Sequence, residues 1–75
     1  MIEKNICLSS VNDVKLFVNE VSKFKFQIDL LSGKYAVDAK SIMGVFSLDL
    51  ACPIKMIAHT DDANFLQKIN KYIIE

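Results

Sequence analysis

Few residues in this chain have side chains that commonly carry out catalysis. The single histidine, His59, lies between the last predicted strand and the last predicted helix, beside Thr60 and Asp61. A lone histidine there is more often a solvated strand-end residue than a catalyst. Asp61 and Asp62 resemble a pair for general acid–base chemistry, but carboxylates at a helix start are explained by the positive end of the helix dipole. We therefore predict no catalytic residue and no enzymatic activity.

Metal and nucleotide chemistry has equally little support in the sequence. The two cysteines, Cys7 and Cys52, are too few and too far apart for a zinc site, and we expect both to be reduced thiols. The two glycines, Gly33 and Gly44, do not form a glycine-rich loop of the kind that cradles phosphates. The chain is therefore predicted to bind no metal and no cofactor.

The segment DAKSIMGVFSLDL, residues 38–50, is too apolar for a linker and too short for an independent helix. Ser41 is predicted to be the N-cap of a short helix that runs to about Leu48, since serine fills this position routinely. Gly44 inside that helix costs about 1 kcal/mol relative to alanine. Either close approach of a partner or a packing constraint would account for it.

The same segment carries more apolar side chains than one face of a short helix can bury. Ile42, Val45 and Leu48 follow a three-residue step and can face a sheet together. That arrangement would turn Met43 and Phe46 toward solvent. Methionine adapts its shape and phenylalanine supplies a large contact area, so an exposed pair favours a docking surface over incidental surface.

The rest of the sequence supplies the elements that position this segment. Alternation of apolar and polar residues predicts strands at residues 1–8, 25–30, 34–39 and 54–58, and apolar stripes predict helices at residues 11–24, 41–48 and 61–73. Ser10 is the expected N-cap of the first helix, with Asp13 in its first turn, and Thr60 or Asp61 that of the last. The order is β-α-β-β-α-β-α, which predicts a four-stranded antiparallel sheet with helices on one face, an α+β open-faced sandwich.

The last predicted helix carries an apolar stripe of its own. Its members are Ala63, Leu66, Ile69 and Ile73, with Phe65 and Tyr72 on either side. We expect this stripe to face the sheet.

Composition limits the classes of function. Nine lysines balance nine acidic residues and the chain has no arginine, so no net field favours direct binding of nucleic acid or anionic lipid. The longest uncharged runs, residues 42–48 and 50–54, are too short to span a bilayer. The start MIEK has no basic region followed by an apolar one, as a secretory signal would. We expect one cytoplasmic domain over residues 1–75.

The order of the predicted strands and helices, together with particular residues, resembles that of the HPr family, the small phosphocarriers of the bacterial sugar phosphotransferase system. The most specific stretch is KSIMGVFSL, residues 40–48, which is similar to the segment around the regulatory serine of HPr proteins. FVNEVSKF, residues 17–24, resembles the end of the first HPr helix, and Gly33-Lys34 resembles its hairpin turn. The resemblance implies the open-faced sandwich. It also implies that Ser41 is a target of HPr kinase and that Ile42, Met43 and Phe46 contact partner proteins.

The chain departs from the family where HPr proteins carry their active histidine. Catalytic members have a Gly-x-His-Ala-Arg-Pro-Ala run at the start of the first helix. An ungapped count places Ser10, Asn12 and Asp13 at the histidine, arginine and proline positions. The chain therefore looks like the Crh-type members, which lack the histidine and act with a catabolite-control transcription factor when their serine is phosphorylated.

The resemblance implies a non-catalytic regulatory protein with HPr kinase and a transcription regulator as partners. Two alternatives stay open: a phosphocarrier that uses another acceptor such as His59, and a diverged HPr fold with an unrelated protein partner. Some Crh-type proteins pair by strand exchange, so a homodimer is a further alternative.

Overall fold

A computed structural model describes residues 1–51 and 53–74 and shows the predicted order of elements. The strands are β1 (Ile2–Ile6), β2 (Ile28–Ser32), β3 (Tyr35–Asp38) and β4 (Ile54–Ala58). The helices are α1 (Val11–Val21), α2 (Ile42–Phe46) and α3 (Ala63–Ile69), and a short 3₁₀ turn (Asn70–Tyr72) follows α3.

The four strands form one antiparallel sheet in the order β1-β4-β2-β3. Leu30 lies opposite Met56 on one side and Val37 on the other, so these three residues share a face. Side chains of alternate residues on β2 and β4 are fully buried on that face, whereas those between them are at least partly exposed. This is the alternation expected of a sheet with helices on one side only, and it confirms the predicted open-faced sandwich.

The helices bury apolar stripes against that face. From α1 come Val14, Phe17, Val18 and Val21, all buried, while Phe65, Ile69 and Tyr72 contribute from the C-terminal part. The rings of Phe17 and Tyr72 meet edge to face with centroids 5.4 Å apart, a favoured aromatic arrangement. The buried stripes join the three helical segments and the sheet into one core.

Turn chemistry connects β2 to β3 as predicted. Gly33 has a φ of 60°, in the left-handed region that glycine adopts without the steric cost of a Cβ atom. Ser32 pairs with Tyr35 across this turn, which fixes the hairpin register.

Several element boundaries differ from the sequence predictions, and two of the differences have a clear cause. Strand β2 begins at Ile28 rather than near Lys25, because Phe26 packs its ring against Phe65 at 5.2 Å instead of entering the ladder. The N-cap of α3 is Asp62, whose carboxylate accepts a hydrogen bond from the backbone N–H of Asn64, so neither Thr60 nor Asp61 has that role.

The predicted stripe of α3 is also partly wrong. Ala63 is exposed and Leu66 only half-buried, whereas Phe65 and Ile69 are fully buried. The helix ends at Ile69, and Ile73 instead forms an isolated bridge with Ile6 at the edge of the sheet. The buried residues Phe65, Ile69 and Tyr72 are spaced by four and three positions, so the face that packs against the sheet is centred on them rather than on Ala63 and Leu66.

None of the helices formed by the described residues combines the length and apolar content that crossing a bilayer requires. Cys7 is an exposed free thiol. Cys52 lies outside the described residues.

Candidate functional site

Ser41 lies at the junction of β3 and α2 and is the N-cap of that helix, as predicted. Its Oγ accepts a hydrogen bond from the backbone N–H of Gly44 at 3.2 Å. Its own backbone N–H donates to the Asp38 carbonyl at 3.0 Å. The residue is exposed, so a cap fixed by two hydrogen bonds still presents its side chain at the surface.

Helix α2 presents an apolar patch beside this cap, which we define as Ile42, Met43 and Phe46. Their exposed fractions are 37%, 78% and 36% respectively. Val45 and Leu48, by contrast, are 0% and 7% exposed. The prediction that Met43 and Phe46 turn outward is therefore confirmed for Met43, whereas Phe46 is exposed over only about a third of its surface.

The prediction that Ile42 faces the sheet together with Val45 and Leu48 is wrong. Helix α2 places Gly44 against the sheet beside Val45 and Leu48: a Cβ atom on Gly44 would lie 3.3 Å from Cβ of Val37 on β3. Ile42 is two residues from Gly44, about 200° around the helix, so it turns away. A packing constraint therefore explains Gly44 without any partner.

Lys40, directly before the cap, spans from this junction to the chain that follows α1. Its Nζ donates to the backbone carbonyl of Phe24 at 2.5 Å, a partly buried hydrogen bond. Its backbone N–H donates to the Asp38 carboxylate at 2.9 Å. Sequence reasoning missed the side-chain contact because its partners are 16 residues apart and only the fold brings them together.

Hydrogen bonds among Ser9, Ser10 and Asp13 cap the start of α1. Oγ of Ser10 accepts from the backbone N–H of Asp13 at 3.1 Å, which confirms Ser10 as N-cap. In return, Oδ2 of Asp13 accepts from the hydroxyl of Ser9 at 2.9 Å and from its backbone N–H at 3.2 Å. A carboxylate therefore occupies the positive end of the helix, where an anionic group is stabilised by the dipole.

His59 follows β4 and lies well apart in the fold from the cap of α1. Its Nε2 is 3.0 Å from Oδ2 of Asp29 on β2, while Gln27 donates to the other carboxylate oxygen at 3.0 Å. These hydrogen bonds, from Gln27 first and His59 second, lower the pKa of Asp29. Asp29 also lies opposite Asp38 in the β2–β3 register. The pairing of His59 with Asp29, 30 residues apart, left no signal in the sequence.

Within residues 1–51 and 53–74, no group of three His, Cys, Asp or Glu side chains is placed to hold a metal ion. We take two places as candidate sites. One is the Ser41 cap with the apolar patch beside it, and the other is the start of α1, where the Asp13 carboxylate lies.

Comparison with known families and structures gives consistent findings. The family model described as the phosphotransferase-system HPr component phosphorylation site matches residues 12–74. A search of curated protein sequences gave no significant match.

Three solved structures are similar over nearly the whole chain. HPr-C-His from Thermoanaerobacter tengcongensis superposes with a TM-score of 0.76 at 30% identity, covering 95% of this chain and 89% of that one. The phosphocarrier protein HPr from Bacillus anthracis strain Ames gives 0.72 at 28% identity, covering 96% and 95%. A histidine-containing phosphocarrier protein from Mycoplasma gives 0.71 at 22% identity, covering 93% and 86%, and at that identity supports the fold alone.

Proposed function

Because this chain belongs to the HPr family of phosphotransferase-system components, we propose that it is a non-catalytic regulatory member of that family. It acts in the cytoplasm as a single domain over residues 1–75. It docks partner proteins through the apolar patch, and phosphorylation of Ser41 controls that docking. It carries no catalytic residue and uses no metal or cofactor.

The single observation that carries this proposal is the carboxylate at the start of α1. An HPr phosphocarrier needs an imidazole there to form a labile phosphoramidate, together with positive charge to hold the phosphoryl group. Here Ser10 stands at the expected position with its hydroxyl bound to the backbone of Asp13. A phosphoryl group on a serine would form a stable ester and could not be handed on.

Charge opposes transfer at this position as well. The Asp13 carboxylate lies against Ser9, one residue from Ser10. Charges of the same sign repel, and the repulsion is stronger near a protein surface than in bulk water. Asn12, at the position of the family's arginine, offers no compensating cation. An incoming phosphoryl group therefore meets repulsion where a carrier supplies attraction.

The Ser41 junction supports the regulatory half of the proposal. The exposed serine stands directly before Ile42 and Met43, two residues of the apolar patch. Phosphorylation adds a charge of about −1.5 to −2 at neutral pH. Such a charge beside an apolar contact area changes which partner surface can bind there. The partners we propose are HPr kinase and a catabolite-control transcription regulator, with no direct contact to nucleic acid.

His59 is a weaker candidate for a phosphoryl acceptor. Its ring is bonded to the carboxylate of Asp29, which lies opposite Asp38. Two carboxylates repel an incoming phosphoryl group rather than stabilise it.

A strand-exchanged homodimer is also less favoured than a monomer. The backbone N–H of Ile74 donates to the Asn5 carbonyl, and that of Cys7 donates to the Tyr72 carbonyl. These hydrogen bonds already occupy part of the free edge of β1, and exchange of β1 would have to break and re-form them. Size-exclusion chromatography with light scattering is expected to show a monomer.

Labelling by HPr kinase tests the regulatory proposal. We expect one equivalent of acid-stable phosphate on the unmodified chain with a nucleoside triphosphate as donor. Ser41→Ala should abolish the label. Ser47→Ala is the matched control, because Ser47 also lies at an end of α2 and donates its hydroxyl to the Gly44 carbonyl. Equal labelling of Ser41→Ala and the unmodified chain would contradict the proposal.

A further inference from the structure

The side chain of Lys40 connects the residue next to Ser41 with a distant part of the chain. Its ammonium group holds the carbonyl of Phe24, three residues beyond the end of α1. The ring of Phe24 lies 5.1 Å from that of Phe65 and 5.4 Å from that of Phe26, measured between centroids. Lys40 therefore restrains the backbone beneath a small aromatic cluster, which we define as Phe24, Phe26 and Phe65.

The ammonium group of Lys40 is hydrogen-bonded to a neutral carbonyl, that of Phe24. Phosphorylation of Ser41 would supply a charged acceptor on the adjacent residue. A phosphate dianion attracts a lysine more strongly than a neutral carbonyl does, because the attraction between two opposite charges adds to the hydrogen bond. Phosphorylation forms a bond between Oγ of Ser41 and phosphorus, breaks the bond to the leaving nucleoside diphosphate, and releases the hydroxyl proton. The product places a dianion on the residue adjacent to Lys40.

We infer that Lys40 relays the modification state of Ser41 to the aromatic cluster. In the unmodified chain the ammonium group holds the Phe24 carbonyl. When Ser41 carries phosphate, Lys40 turns to the phosphate and releases Phe24, whose ring then shifts against Phe65. This inference rests on the proposed modification of Ser41 and adds a second change, at the aromatic cluster, that a partner can read.

The relay accounts for a feature that a simple cap does not need. Ser41 is already fixed by its hydrogen bonds with Gly44 and Asp38. The long side chain of Lys40 adds nothing to that cap, yet it is half-buried and directed to a carbonyl of another segment. Holding such a side chain in one conformation costs rotamer entropy, which a lysine in solvent would not lose. The hydrogen bond from Lys40 to the Phe24 carbonyl is therefore a specific contact.

The test uses the full chain with phosphoserine installed at position 41 by synthesis, so that it does not depend on any kinase. The measured quantities are the ¹³C chemical shift of the Phe24 carbonyl and the ring proton shifts of Phe24 and Phe65. We expect phosphoserine to move the Phe24 carbonyl resonance upfield, as loss of a hydrogen bond does. The change should follow the second ionisation of the phosphate, near pH 6.

Variants separate the relay from a general effect of charge. In Lys40→Met the Phe24 carbonyl should be upfield before phosphorylation and should not move further, whereas Lys40→Arg should behave like the unmodified chain. Lys34→Met is the matched control, because Lys34 is an exposed lysine of the hairpin turn, and it should leave the response intact.

Two results would overturn the relay. One is a Phe24 carbonyl shift that does not change between pH 5 and pH 7 in the phosphoserine chain. The other is an equal change in Lys40→Met. Failure of HPr kinase to label Ser41 would instead overturn the proposed function and leave the outcome with synthetic phosphoserine unchanged.

Discussion

Truncation of Met43 should separate docking from stability. Met43 is 78% exposed, so the fold buries about a fifth of it. Complete burial of a methionine or phenylalanine side chain is worth about 1.5–3 kcal/mol. Scaled by the buried fraction, Met43→Ala should cost about 0.3–0.7 kcal/mol of unfolding free energy. Phe46 is 36% exposed, and the same scaling gives about 1–2 kcal/mol for Phe46→Ala.

The assay pairs urea unfolding, followed by circular dichroism, with titration of HPr kinase by calorimetry. Met43→Ala should unfold almost as the unmodified chain does and bind at least tenfold more weakly. Val45→Ala is the matched control, because Val45 is a fully buried residue of the same helix. It should lose stability and, while folded, retain affinity. Loss of more than about 1.5 kcal/mol in Met43→Ala, or unchanged affinity, would refute the docking surface.

Four further predictions follow from the same geometry. Ser41→Ala should lower stability by about 1 kcal/mol through loss of the cap, and an unchanged melting temperature would contradict this. Gly44→Ala should fail to gain the roughly 1 kcal/mol that helix propensity offers, because its Cβ would crowd Val37 at 3.3 Å; a clear gain in denaturant midpoint would show that the packing is looser. The pKa of Asp29 is lowered from its ordinary value of 3.8 in the folded chain, so its contribution to stability is present above that value and is lost as the pH falls through the lowered one. Asp29→Asn should therefore weaken the dependence of the unfolding free energy on pH below 3.8, and parallel curves for the two chains would contradict it. Ser10→His should still not accept phosphate from enzyme I, because Asn12 and Asp13 remain, and stoichiometric labelling would show that the charge argument is wrong.

Patterns local in sequence predicted the fold and both short-range caps. Alternating strands and apolar stripes follow from the period of each element, and Ser10 and Ser41 act on N–H groups three residues away. The sequence also indicated that Met43 and Phe46 turn outward. These features depend on neighbours along the chain, which the sequence makes visible.

Features set by contacts between segments could not be predicted. The rotation of α2 depends on how closely Gly44 approaches Val37, so Ile42 was assigned to the wrong face. The contacts of Lys40 with Phe24 and of His59 with Asp29 join residues far apart in the chain. Phe26 lies outside β2, contrary to the prediction, because its ring packs against that of Phe65 on α3. In each case the sequence did not show which segments pack against each other in the fold.

We propose above that this HPr-family chain does not carry phosphate on a histidine. The most direct measurement incubates it with phosphoenolpyruvate and enzyme I, in the same tube as a histidine-bearing HPr protein of different mass, and follows both by mass spectrometry at neutral pH. The account predicts that the histidine-bearing protein gains one acid-labile phosphoryl group while this chain gains none. A stoichiometric acid-labile phosphoryl group on this chain, at His59 or elsewhere, would contradict it.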